Sequence, residues 1–128
     1  MEQVKISIIT ITYNSEQTVE ETLKSVISQA YPNLEYIIVD GASKDRTLEV
    51  VGKYKESIAH IISEPDKGIA DAFNKGIRMA TGDLIGIINS DDLLLPGALR
   101  KMAESYDGET DVYRGNTVIS NLVSQFRC

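Results

Sequence analysis

The chain has 128 residues, 42% of them hydrophobic and 25% charged, which is one domain's worth of ordinary globular sequence and excludes long disorder, collagen and coiled coil. Thirteen Lys+Arg against nineteen Asp+Glu leave a net charge of −6, which argues against a binder of nucleic-acid phosphates or of an anionic membrane surface, but not against a phosphorylated ligand bridged by a cation. A single cysteine, Cys128, and a single histidine, His60, exclude an intramolecular disulfide, a multi-cysteine zinc site and a histidine metal cluster.

Met1-Glu-Gln-Val-Lys5 leads straight into a strand-like segment without a basic region followed by an apolar one, and no apolar run approaches the ~20 residues that span a bilayer. A soluble protein of a reducing, cytoplasmic compartment is expected. Ile6 to Thr12 is β-branched and apolar, and reads as the first strand. Ser15 is a candidate N-cap for a helix carrying Val19, Leu23, Val26 and Ile27 at i, i+4, i+7 and i+8. Tyr36 to Val39 reads as a strand buried on both faces, followed by a helix with Leu48, Val51 and Tyr54 on one stripe and a strand over Ile58 to Ile62. A helix over 69–80 follows, with Ile69, Phe73 and Ile77 on one stripe and Ala72, Gly76 and Ala80 beside it, closed by a left-handed Gly82. Leu84 to Ile88 is the most apolar strand and is expected at the sheet centre; Pro96 opens a helix with Leu99, Met102 and Ala103, and a fifth strand is expected over Val112 to Val118.

Strands alternating with helices at this spacing predict parallel βαβ units, hence an α/β doubly wound sheet that binds its ligand at the carboxyl ends of the strands. The polar clusters fall at those ends: Thr12-Tyr13-Asn14, Asp40 to Asp45, Ser63 to Gly68, and Asn89-Ser90-Asp91-Asp92. Each alone is compatible with turn or capping chemistry; four converging on one edge point to a site. Adjacent carboxylates such as Asp91 and Asp92 repel each other, and a divalent cation held between them and a diphosphate relieves that cost. Asp40 is placed to accept from a base or ribose donor. Neither a Gly-rich dinucleotide turn nor a P-loop is present, and His60, inside a strand, reads as a satisfied or surface imidazole.

Six segments carry a family resemblance: Ser7-Ile-Ile-Thr-Ile-Thr-Tyr-Asn14, Ser25-Val-Ile-Ser-Gln29, Ile38-Val-Asp-Gly-Ala-Ser-Lys-Asp-Arg-Thr47, Ser63-Glu-Pro-Asp-Lys-Gly-Ile-Ala-Asp-Ala-Phe-Asn-Lys-Gly76, Ala80-Thr-Gly-Asp83 and Ile88-Asn-Ser-Asp-Asp92. In order and spacing the chain resembles the family 2 glycosyltransferases of the GT-A fold, in particular the bacterial polysaccharide and colanic-acid-type subgroup. The resemblance implies a nucleotide-diphosphate sugar donor, UDP- or GDP-linked, a Mn²⁺ or Mg²⁺ cofactor, and a glycan or lipid-linked acceptor. It implies that Thr12, Tyr13 and Asn14 lie under the nucleotide, that Asp40 reads the base, and that Asp91 faces ribose and diphosphate. Asp92 is implied as the direct metal ligand with Asp91 beside it, and Lys67 and Asp71 as bordering the donor phosphates and sugar. Asn89 stands where many relatives have Asp.

Members of this family continue into a second half that supplies the acceptor site and the general base. The resemblance therefore implies that residues 1–128 form a single, truncated donor-binding domain, with the general base not in this chain. Such a piece is expected to bind nucleotide sugar with little or no transfer, to self-associate through surfaces the second half covers, and to work in the cytoplasm, at the inner face of the membrane in the lipid-linked case. The implied reaction is inverting, the acceptor hydroxyl attacking the anomeric carbon from the face opposite the leaving nucleoside diphosphate. Three rival readings are a non-catalytic nucleotide-sugar-binding module, a sugar-phosphate nucleotidyltransferase and a phospho-accepting receiver. The second lacks its basic Gly-rich loop after the first strand; the third lacks an acid pair at that strand's end.

Overall fold

The computed structural model describes residues 5–104 and 111–114. Its elements are β1 (Ile6–Thr12), α1 (Val19–Ile27), β2 (Leu34–Asp40), α2 (Thr47–Gly52), a short 3₁₀ turn (Lys55–Ser57), β3 (His60–Ser63), α3 (Ile69–Met79), β4 (Leu84–Asn89), α4 (Ala98–Glu104) and β5 (Asp111–Arg114). The strands form one five-stranded sheet in the order β3-β2-β1-β4-β5. Every neighbouring pair is parallel, with Thr12 opposite Asp40, Ile11 opposite Asn89 and Asp40 opposite Ser63. The carboxyl ends of β1, β2, β3 and β4 therefore open on one edge.

The all-parallel α/β sheet follows from the sequence as expected: β1 and β2 are buried along nearly their whole length, as strands covered on both faces must be. The centre belongs to β1, however, with β4 one place out, because the chain winds from β1 through β2 to β3 on one side before β4 returns to β1's other flank. The order reverses between β1 and β4, where doubly wound sheets leave a crevice. The core joins Ile6, Ile8 and Ile9 of β1 to Ile37, Ile38 and Val39 of β2, Leu23 and Val26 of α1, and Leu99 and Met102 of α4.

Two local expectations are corrected. α1 begins at Val19 with Thr18 in the cap position, while Ser15 closes the preceding turn by accepting the Thr18 and Val19 amides at its carbonyl. Among the described glycines only Gly68 and Gly97 take positive φ, so Gly82 is not a left-handed cap; a side chain there would meet the Ser7 amide at 2.8 Å and the Lys5 carbonyl at 2.9 Å. Gly82 is glycine because β1 passes against it. Residues 115–118 of the expected fifth strand, and Cys128, lie outside the described residues.

Candidate functional site

The floor of the carboxyl edge is a buried polar knot centred on Asp40, which is fully buried. Its Oδ1 accepts from the Thr12 hydroxyl at 2.6 Å and the Ser43 hydroxyl at 2.6 Å, and its Oδ2 accepts from the Ser43 amide at 2.8 Å and the Ser63 hydroxyl at 2.9 Å. A carboxylate has about four acceptor positions, and here all four are engaged. The resemblance gives Asp40 to the base, yet the structure sets it beneath the surface as the tie between the ends of β1, β2 and β3. Gly41 and Ala42 line the cleft above it. Thr12 likewise points inward to Asp40 and is buried.

The chain above the knot is held in sparsely populated backbone. Asn14 (φ 46°) and Ala42 (φ 61°) both adopt left-handed conformations, which non-glycine residues keep only where surrounding contacts enforce them. The enforcing contacts cross between the two exits. The Asn14 amide donates to the Ser43 hydroxyl at 2.8 Å, and the Lys44 amide donates to Asn14 Oδ1 at 2.8 Å. Between them Tyr13 stands 59% exposed, an aromatic face offered to solvent at the rim of the sheet.

Two clefts share that ring. One, of about 490 Å³, is lined by Tyr13, Gly41, Ala42, Lys44, Pro65 and Asp66. The other, of about 450 Å³, lies over the β1–β4 crevice and includes Ile11, Tyr13, Asn14, Asn89, Ser90 and Asp91 in its lining. Tyr13, Asn14 and Asp91 thus line one cleft, while Asp40 lies beneath the other. Lys67 and Asp71 line neither cleft. Asp71 Oδ2 accepts the Lys67 amide at 3.0 Å and pairs with Lys75 at 3.6 Å, fastening the turn into α3. That amide, followed by the Lys75 ammonium, holds the Asp71 carboxyl below its usual range.

The β4 exit is anchored from α1. The buried Thr22 hydroxyl donates to the carbonyls of Ser90 at 2.8 Å and Asp92 at 2.6 Å, and the Ser90 and Ser15 hydroxyls bond at 2.7 Å. Asp91 is exposed and Asp92 half-buried. Burial first, and then the Asp91 charge, push the Asp92 carboxyl above the usual carboxylate range. A divalent cation offsets both effects, and two hard carboxylates fit Mg²⁺ or Mn²⁺. Among the described residues no group of three or more His, Cys, Asp or Glu side chains gathers, so the rest of a coordination sphere must come from ligand or water oxygens. Thr22, Gly41 and Asp66 were not legible as site residues: a threonine beside an apolar stripe reads as helix surface, and a Gly or Asp in an exit loop reads as turn.

A parallel sheet with a split carboxyl edge, an exposed tyrosine and an acid pair at the strand-order reversal is the architecture of a doubly wound α/β domain, which places its ligands at that reversal. Residues 7–127 match the profile of glycosyl transferase family 2, and the chain belongs to that family. It is 40% identical over 88 residues to UDP-Glc:alpha-D-GlcNAc-diphosphoundecaprenol beta-1,3-glucosyltransferase WfaP of Escherichia coli, an alignment covering 68% of this chain and 35% of WfaP. Its fold is similar to Staphylococcus aureus TarS 1–349 in complex with UDP-GlcNAc (TM-score 0.73, 30% identity, 78% of this chain and 30% of TarS). It is also similar to the mannosyltransferase PcManGT of Pyrobaculum calidifontis in complex with GDP-Man and Mn²⁺ (TM-score 0.70, 32% identity, 77% and 31%). The chain spans about a third of the length of the curated relatives it matches. No helix among the described residues is long and apolar enough to cross a membrane.

Proposed function

We propose that residues 1–128 form the donor-binding domain of a metal-dependent, inverting glycosyltransferase. Its donor is a UDP- or GDP-linked sugar, and its acceptor a growing glycan or a lipid-linked saccharide at the cytoplasmic face of the membrane. The observation that carries the reading is the meeting of Tyr13 and Asp91 in one cleft over the β1–β4 reversal, with the half-buried Asp92 carboxyl raised beside it. The nucleotide-sugar complexes of TarS and PcManGT and the Mn²⁺ of PcManGT support it, as does the lipid-linked acceptor in the name of WfaP.

In this reading Asp91 and Asp92 hold the cation, and Tyr13 lies under the nucleotide. A bound Mn²⁺ or Mg²⁺ supplies positive charge that offsets the two phosphates of the departing nucleoside diphosphate. Thr22 keeps the 90–92 backbone in place, and the Asp40 knot fixes the opposite wall. Lys67, on the turn fastened by Asp71, stands as a cation beside the donor phosphates. Among the described residues the edge strand β3 pairs only with β2, which offers a route to self-association; light scattering that reports monomer throughout the micromolar range removes that part.

Calorimetric titration of UDP, GDP and their sugars, with and without Mn²⁺, tests the reading on wild type and Asp92→Ala. Binding is expected to need Mn²⁺ and to weaken at least roughly 10-fold in the variant, the loss of one charged ligand contact. Absence of binding, or binding indifferent to both metal and variant, overturns the proposal.

A further inference from the structure

The segment Ser25-Val-Ile-Ser-Gln29 lines neither of the clefts that meet at Tyr13, yet two of its polar side chains reach the loop that carries the acid pair. The Ser25 hydroxyl accepts the Leu94 amide at 2.9 Å and donates to the Thr22 carbonyl at 2.8 Å. Gln29, two residues past the end of α1, donates from Nε2 to the Leu95 carbonyl at 2.7 Å and to the Ser25 carbonyl at 3.2 Å. Its Oε1 accepts the Leu99 amide at 3.2 Å. Thr22, Ser25 and Gln29 fall at i, i+3 and i+7, one face of a helix. Together they hold backbone atoms of residues 90, 92, 94, 95 and 99, from the end of β4 to the start of α4.

The loop has little else to fix it. Of its three consecutive leucines only Leu94 is buried, while Leu93 and Leu95 are each 46% exposed. Its own backbone bonds among the described residues sit at its two ends: the Asp92 amide donates to the Asn89 carbonyl and the Ala98 amide to the Leu95 carbonyl, both at 3.1 Å. Repulsion between the neighbouring carboxylates of Asp91 and Asp92 favours any rearrangement that separates them, so the ties to α1 decide whether the pair stays together. The Gln29 amide fits only one way round. Turned over, its oxygen would face the Leu95 carbonyl and its NH₂ the Leu99 amide.

We infer that Ser25 and Gln29 are positioning residues for the cation site: Thr22 holds the near side of the loop, they hold its far side, and so they fix the place from which Asp91 and Asp92 reach a divalent cation. The inference rests on the donor-site reading above and adds the residues that make the site stiff. A cation shared between two carboxylates and ligand oxygens binds tighter when the carboxylates are already in place. Any ordering the loop must undergo on binding is subtracted from the affinity.

The test is titration of UDP into the full chain over a series of Mn²⁺ concentrations, well below the melting temperature, to find the Mn²⁺ midpoint of UDP binding. Gln29→Met keeps the length of the side chain and removes its hydrogen bonds, and Ser25→Ala removes the hydroxyl. Each is expected to raise the midpoint roughly 5- to 10-fold, as one hydrogen-bonded anchor lost requires. Ser25→Thr should recover most of that loss, because a helical threonine also donates to the i−3 carbonyl. Val26→Ala empties a core position on the same helix; it should lower the melting temperature and leave the midpoint in place. In metal-free protein, hydrogen exchange at the Leu94 amide should quicken in Ser25→Ala, and at the Leu99 amide in Gln29→Met. Wild-type midpoints in Ser25→Ala and Gln29→Met, or an equal shift in Val26→Ala, overturn the inference and leave the donor site standing. Wild type that binds no UDP, or binds it without regard to Mn²⁺, removes the cation site and the inference with it.

Discussion

Thr22 does its work through one hydroxyl hydrogen shared between two carbonyls, those of Ser90 and Asp92. Those carbonyls belong to the turn that follows β4 and carries both acids of the candidate metal site, so a residue of α1 fixes the backbone from which the carboxylates project. Thr22→Val keeps the shape and removes the donor. The expected cost is about 1–3 kcal/mol, because two carbonyls in a part-buried loop lose their partner. Melting followed by circular dichroism should show the loss. Titration in the presence of Mn²⁺ should show weaker UDP binding; a destabilised variant that still binds UDP with wild-type affinity and Mn²⁺ dependence makes Thr22 a packing residue only. Asp40 teaches the complementary lesson. Its type and position at a strand end invite a ligand role, and only the four converging donors reveal that the carboxylate is already satisfied. Hydrogen-bond saturation depends on Thr12, Ser43 and Ser63 arriving from three exits, and no local pattern announces it.

At the scale of elements, the small stripe Ala72-Gly76-Ala80 marks the face on which α3 approaches the sheet. A Cβ on Gly76 would lie 2.5 Å from Ile9 Cγ2 and 3.1 Å from its Cδ1, so β1 and α3 are closer than any alanine permits. Helix propensity alone favours Gly76→Ala by about 1 kcal/mol. Overpacking against a fully buried isoleucine in the central strand outweighs it, with net destabilisation of about 1–3 kcal/mol. Urea unfolding checks the sign: a variant more stable than wild type would mean that Ile9 rotates away at little cost. Gly76→Ala combined with Ile9→Val should recover part of the loss, since the pair is in contact. The elements themselves were legible, because runs such as Leu84 to Ile88 and the 69–80 stripe carry their periods plainly. Their neighbours were not. Apolarity reports that a strand is buried and says nothing about which strand lies beside it, so β4, the more apolar, was expected where β1 sits. The cap of α1 slipped by a turn for a related reason: Ser15 is a good capping residue, but its hydroxyl bonds to Ser90 across the crevice, a partner 75 positions away.

Over the whole molecule the two ends of the sheet divide the labour. The carboxyl end carries left-handed Asn14 and Ala42, an acid pair whose Asp92 is disfavoured as a charge, and an open aromatic; the amino end carries a closed polar staple. There Glu35 Oε1 accepts from the Ser7 hydroxyl at 2.7 Å and the Thr81 amide at 2.8 Å. Ser7 accepts the Gly82 amide at 2.8 Å, and Lys5 and His60 stand 3.9 Å and 3.5 Å from Glu35 Oε2. The staple ties β1 and β2 to the turn before β4, so it locks the order of the three strands whose far ends build the site. Burial raises the Glu35 carboxyl, but the Thr81 amide, the Ser7 and Thr81 hydroxyls and the Lys5 charge together outweigh it, and the net displacement is below the ordinary value of 4.5. A carboxyl depressed in the folded state binds fewer protons there than in the unfolded chain, so its stabilisation is complete above the unfolded value and is lost as pH falls through the folded one. Glu35→Gln should therefore melt lower than wild type at pH 7, by the equivalent of about 1–3 kcal/mol for the charged acceptor removed. The gap should narrow below roughly pH 4.5 as the wild-type carboxyl takes up its proton. UDP affinity at pH 7, measured well below the melting temperature, should be unchanged, because the staple and the clefts lie at opposite ends of the same strands. A melting gap that persists undiminished at pH 3 would assign the loss to packing of the side chain rather than to its charge.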